Sequence, residues 1–206
     1  MKPLFLLCVA VCFFASGCDD SKNPLSDPQT SKADTQLIGV WRVRNNDGVG
    51  YYHIGQAGGK LPGSVMRVVE VTHSQKKLEH PHEYLVFPTT LGGKTYLSVT
   101  EDKEQRVKLL EEKGWKPEVV DSYYILKYQV NGDKLLVWTM DADAKKQAIE
   151  SGKIKGVIEK KKEQYASTVK FTDTTENLAR FITEAGNGLF PNEPLRFEKV
   201  DESKKP

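Results

Sequence analysis

Leu37, Gly39, Trp41 and Val43 alternate with Ile38, Val40 and Arg42, a period of two that predicts a strand with one apolar face. Strands are likewise predicted at 51–55 and at 64–72, the latter being the β-rich string SVMRVVEVT, with Gly58-Gly59 and Pro62-Gly63 marking the gap between them. Residues 84–87 and 95–99 continue the series across Leu91-Gly92-Gly93, which reads as a tight turn. The period then changes: DKEQRVKLLEEK at 102–113 sets Val107 and Leu110 at helical spacing and stops at Gly114, predicting a short surface helix. Strand periodicity returns with Val120, Tyr124, Leu126, Tyr128 and Val130 on one face, and Asn131-Gly132 marks a turn into a strand at 134–140.

Beyond it, Asp141 or Asp143 can cap a helix that runs through Ser151 and stops at Gly152. Residues 154–160 and 165–172 read as a hairpin across the basic string KKKE. Asp173 and Glu176 have capping-box spacing, predicting a helix over 174–185 that buries Leu178, Phe181 and Ile182. A last strand covers 195–200, and the polar tail 201–206 has nothing to bury. Roughly nine or ten strands and a few short helices fit one domain over 36–200, mainly β, whose antiparallel sheet must curl strongly or close because a flat sheet that wide leaves edges exposed.

The chain's start has a different pattern. Lys2 is followed by the uncharged run Leu4–Phe14, too short for a spanning helix of about 20 residues, and then by Ala15-Ser16-Gly17-Cys18. Residues 1–17 therefore read as a cleaved export signal, with an incidental Cys18 as the plainest version. The string ASGC also resembles the lipobox of bacterial lipoproteins, apart from Ala15 where Leu is commoner. That resemblance implies diacylglycerol on the Cys18 sulfur, cleavage before it and fatty acylation, with palmitate for example, of the new amino terminus. It implies a protein tethered to the cell envelope with its domain in the periplasm, since several acyl chains hold a protein stably on a membrane. Asp19 and Asp20 resemble the sorting signal that keeps enteric lipoproteins in the inner membrane; the rule differs between bacterial groups, which leaves the outer membrane open. Residues 18–35, polar and with two prolines after Cys18, read as a flexible linker that would reach several tens of ångströms at about 3.3 Å per residue.

Charge and cysteine content narrow the classes. Lys2 is the only charged residue among 1–17, so the 30 basic side chains fall to 29 against 28 acidic, a net charge of +1 that recommends no nucleic-acid partner. Cys8 and Cys12 lie in the signal, so the mature chain keeps only Cys18 and has no disulfide to staple it. Stability has to come from packing.

The string QLIGVWRV at 36–43 resembles the first strand of lipocalin-like barrels, in which Gly39-Val40-Trp41 would open the barrel and Trp41 plug its closed end. The same resemblance implies that an arginine of the last strand packs on this tryptophan, and Arg196 in LRFEKV has that place, as a cation–π stack. Asp121-Ser122-Tyr123 does not match the second lipocalin motif, and the extra helices depart from the usual layout.

Little in the chain points to catalysis or a cofactor. His80 and His82 flank Pro81 at a spacing that puts both rings on one side of a strand, with His73 as a third metal-capable group, although Pro81 favours an edge or loop and exposed histidines are ordinary. Asp141-Ala142-Asp143 lacks the glycine and final glutamate of a calcium loop, and no G-x-S-x-G occurs. Lys153, Lys155 and Lys160 to Lys162 make a basic patch that anionic lipid could meet. Two readings follow, neither enzymatic and neither with a cofactor. Either a barrel walled by Tyr51, Tyr96, Tyr124 and Trp138 holds a small apolar ligand, or the tethered domain offers a surface to another envelope protein.

Overall fold

A computed structural model of the chain describes residues 20–45, 48–74, 77–102, 107, 122–160 and 167–201. The signal expected at 1–17, Cys18 and Asp19 lie outside these residues, as do Lys161 and Lys162 and the helix expected at 102–113, apart from Asp102 and Val107. The fold is mainly β. Strands β1 (Gly39–Asn45), β2 (Gly48–Gln56), β3 (Met66–Ser74), β5 (His82–Leu91), β6 (Lys94–Glu101), β7 (Tyr124–Asn131), β8 (Lys134–Trp138) and β11 (Leu195–Lys199) form one antiparallel sheet. A further pairing of β2 with β3 joins its ends, so the eight strands close into a barrel, and the short β4 (Lys77–Leu78) pairs antiparallel with the end of β3 alone. Closure removes the exposed edges that a sheet of this width would otherwise present.

Turn chemistry sets the registers. Gly92 and Gly93 both have positive φ, +55° and +74°, which suits a two-residue hairpin, and Leu91 pairs with Lys94 on either side. The β7–β8 turn lies one residue later than the Asn131-Gly132 signal suggested. Asn131 still pairs with Lys134, and Gly132, at φ +62°, opens a loop completed by Asp133.

Alternation then sorts the side chains. Trp41, Val68, Val86, Leu97, Leu126 and Val137 point into the barrel, drawn from six of its strands. Between β8 and β11 the chain leaves the barrel and returns as α1 (Ala142–Glu150), the hairpin β9 (Gly156–Lys160) and β10 (Ser167–Phe171), and α2 (Thr175–Ala185). Asp141 is the cap of α1, accepting from the Ala144 N–H at 2.8 Å. In α2 the cap is Thr174 and not Asp173. The Asp173 carboxylate accepts instead from the Lys155 and Thr174 N–H groups and the Asn177 amide, tying the hairpin to the helix. This insertion lies against the outside of the barrel, where Tyr96 and Ile125 meet Phe171, Leu178, Ile182 and Phe190 in a second core.

Residues 20–34 run along the fold as a strap held by hydrogen bonds, with Leu25 in that second core, where a flexible linker was expected. Leu25 is 2 % exposed, and its N–H donates to Ser98 Oγ at 3.0 Å. The Ser26 hydroxyl bonds that of Thr89 at 2.6 Å, and Ser64 donates to the Pro28 carbonyl. Polar composition suggested a solvated spacer, but Ser, Thr and Asp here satisfy their groups against the barrel wall.

Candidate functional site

The barrel interior is apolar but incompletely filled. Side chains from all eight strands, among them Trp41, Tyr52, Tyr84, Val99 and Phe197, surround a cavity of about 70 Å³. Its lining residues are buried except for Ile54, which is partly so. That volume exceeds the roughly 10–15 Å³ needed by one water, but is about half that of apolar cavities known to take benzene, and far below the several hundred Å³ of drug-sized sites. The space suits an apolar group of a few carbons or the tip of a longer chain.

One interior step along β3 from the lining residue Val68 sits Glu70, only 6 % exposed. Tyr52, itself a lining residue, donates its hydroxyl to Glu70 Oε1 at 2.7 Å, and Thr72 reaches the same oxygen at 3.4 Å. Tyr84 donates to Oε2 at 3.4 Å. Burial, with the negative Glu70 beside it, pushes the Tyr84 phenol well above its ordinary pKa, so the hydroxyl stays a donor. Among the described residues no cation forms an ion pair with Glu70. Arg67, on the same strand but of opposite parity, is held at 2.7 Å by both Glu83 and Asp102. His82 stands opposite Glu70 in register, exposed, its ring stacked on Tyr84 with centroids 6.5 Å apart. Glu70 is not itself a lining residue: the cavity wall is apolar, and the carboxylate, with acceptor capacity to spare, is bonded by the hydroxyls of two lining tyrosines, Tyr52 and Tyr84.

The aromatics expected on the wall are mostly elsewhere. Tyr124 packs against the barrel core, but Tyr96 belongs to the outer core, its ring 5.7 Å from Phe190, and Trp138 lies outside under the Lys127 ammonium at 4.2 Å. Tyr51 neighbours the inward Tyr52 and therefore faces out. One residue of parity separates the named set from the real one: Tyr52, Leu97 and Val137 line the cavity where Tyr51, Tyr96 and Trp138 were expected. Tyr84 and Glu70 were missed altogether. An isolated Glu in the apolar string VMRVVEV at 65–71, on the same parity as Val68, was the available signal.

Trp41 is fully buried in the inner core and lines the cavity, with its indole N–H donating to the Leu37 carbonyl at 2.7 Å. The cation on its ring, however, is Lys199, its register partner, 5.3 Å from the ring centroid. Arg196 is exposed and pairs with Glu193 at 3.5 Å, because Phe197 faces inward and its neighbour must face out. Gly39 is required here: its φ is +131°, and a Cβ would come within 2.9 Å of Lys199 Cε.

His80 is exposed, with Nδ1 3.0 Å from the Pro81 carbonyl, and His73 is exposed on β3. Among the described residues no three histidine, cysteine or carboxylate side chains converge on a metal-sized site. Asp20, expected in a sorting signal, is buried, with its carboxylate bonded to the Lys145 ammonium and the Ile125 N–H. No described helix is long and apolar enough to cross a membrane. Compared with protein-family models, curated proteins and solved structures, the chain matches none of them.

Proposed function

We propose that this is an envelope lipoprotein, anchored through Cys18, whose non-catalytic barrel binds a small apolar molecule carrying a hydrogen-bond-donating or cationic head. The observation that carries the reading is the apolar cavity two of whose lining residues, Tyr52 and Tyr84, donate their hydroxyls to the buried Glu70 carboxylate. A ligand ammonium would supply the counter-charge that no described residue provides, while its short alkyl part fills the space beside Val68 and Leu97. The partner-surface alternative has less behind it. The large apolar side chains exposed among the described residues are few, Leu61 in the β2–β3 loop, Leu78 on β4 and Val157 on β9.

Native mass spectrometry of the mature chain carrying Cys18→Ser, exported and purified without detergent, tests the proposal. Short-chain alkylamines are expected to add mass to this protein. Glu70→Gln should weaken their binding about tenfold, the loss of roughly 1.4 kcal/mol that one charge-assisted contact supplies. Binding that ignores both Glu70→Gln and the cavity-filling Val137→Phe would sink it.

A further inference from the structure

We infer that the domain has no slack on its anchor and lies against the lipid surface, turning to the bilayer the face where residues 20–22 bind Tyr123 and Phe171. This rests on reading Cys18 as the lipidated residue. The fixed point is Asp20. Its N–H donates to the Tyr123 carbonyl at 3.0 Å, its carbonyl accepts from the Phe171 N–H at 2.9 Å, and its buried carboxylate is paired with Lys145. Ser21, fully buried, exchanges backbone bonds with Tyr123 at 3.0 and 2.8 Å, and the Lys22 N–H donates to the Phe171 carbonyl at 2.8 Å. Ser21 thus makes two single-residue β-bridges, antiparallel to Tyr123 and parallel to Phe171, that join the start of β7 to the β9–β10 hairpin.

Two peptide units separate Cys18 from Asp20, so whatever their conformation the two Cα atoms are within about 7 Å. A lipid on Cys18 therefore brings this face to the headgroups. Lys22 and Lys155 are exposed beside it, the Lys155 carbonyl accepting from the Thr172 N–H at 3.0 Å, and they complement an anionic leaflet. The β7–β8 turn at Asp133 is at the other end of β7, about 25 Å away along the strand.

The test uses the full lipidated chain in vesicles of phosphatidylethanolamine and phosphatidylglycerol whose headgroups carry a quencher. With Cys18 consumed by lipid, Lys22→Cys and Asp133→Cys each offer one thiol for a fluorophore. Apposition predicts that the label at 22 loses most of its emission while that at 133 loses little. Inserting about ten Gly and Ser residues between Asp19 and Asp20, which reach roughly 17 Å on average, should remove the difference. Equal quenching at both sites of a chain whose intact mass shows the lipid would overturn the apposition alone. An intact mass without lipid, altered by Cys18→Ser only by the exchange of sulfur for oxygen, would overturn the anchor reading and the apposition with it.

Discussion

Two cores share the wall made by β5, β6 and β7. On the inside of that wall Leu97 and Leu126 face each other in register; on the outside, one residue along each strand, Tyr96 and Ile125 face the insertion. The inner core is made mostly by strands that neighbour each other in sequence, closed by β11, which comes back from the end of the chain to lie between β1 and β8, and it keeps a cavity and a buried carboxylate. The outer core is made by pieces far apart in the chain: Leu25 near the start, Phe171, Leu178 and Phe190 near the end. The cavity and Glu70 thus sit in the inner core, while the second ties residues near the start of the described chain to the rest of the fold. The two layers should fail separately, and the following variants probe that separation.

The largest effect is expected from Lys145→Met. Lys145 and Asp20 are both nearly fully buried, and removing the ammonium takes from the buried carboxylate a close ionic partner, at a cost of about 3–5 kcal/mol if residues 20–34, the strap, stay docked. The strap can instead undock to solvate Asp20, which limits the loss. Urea unfolding measures the cost, and hydrogen exchange locates it: the Ser21 and Leu25 amides should exchange faster, while those of Val43 and Val68 in the barrel change only as global stability does. Adding Asp20→Asn should recover most of the stability. A variant as stable as the parent, with unchanged exchange, would show that the strap is not held by this pair.

Alkaline pH acts on the inner core. Tyr84 and Tyr128 line the barrel, and burial pushes both phenols upward, with Glu70 reinforcing the shift in the first and the bond to Asp34 at 2.9 Å in the second. In the unfolded chain both ionise near pH 10, so above that pH the unfolded state holds fewer protons than the folded one. Their contribution is whole below about pH 10 and falls as pH rises beyond it, by about 1.4 kcal/mol per pH unit for each tyrosine that stays protonated only when folded. Urea midpoints taken at roughly pH 9 and pH 11 should diverge, and Tyr84→Phe with Tyr128→Phe should narrow the gap. Because burial also raises Tyr96 in the outer core, Tyr96→Phe gives the outer share of the same slope. A gap left untouched by the inner pair would place the effect outside the barrel.

The sequence showed the strands well because the inner core obeys a period of two, and Trp41, Val43, Leu126 and Tyr128 all kept the faces that alternation assigned them. It hid the second core because a wall buried on both sides reads as a continuous apolar run. Residues 86–89 and 96–99 are buried without interruption, and Ser98 interrupts the apolar pattern only to accept the Leu25 N–H. In such a run an aromatic carries no label for inside or outside, which is why Tyr96 and Trp138 were placed on the wrong wall. The strap was hidden for another reason: residues 20–34 are polar, and their docking depends on partners more than 60 residues away, such as Thr89, Ser98 and Ile125. Composition registers polarity, while burial of a polar strap depends on pairings that only the folded chain supplies.

The smallest effect separates the two faces of one strand. On β11, Lys199 shares the inner parity with Leu195 and Phe197, and its stem crosses Gly39 to bring the ammonium over Trp41. Arg196 has the outer parity and a solvent-exposed partner in Glu193. Lys199→Met keeps the stem and removes the charge, so it should cost about 0.5–1 kcal/mol, the size of a partly exposed cation–π contact. Arg196→Met should stay within about 0.5 kcal/mol of the parent, as exposed substitutions do. Tryptophan emission gives a second readout, since only the lysine change alters the surroundings of the fully buried Trp41. If Arg196→Met proves the costlier, then the last strand sits in the barrel one residue out of the observed register. Phe197 would then face solvent and the cavity would lose one of its walls, a failure that the alkylamine binding would register as well.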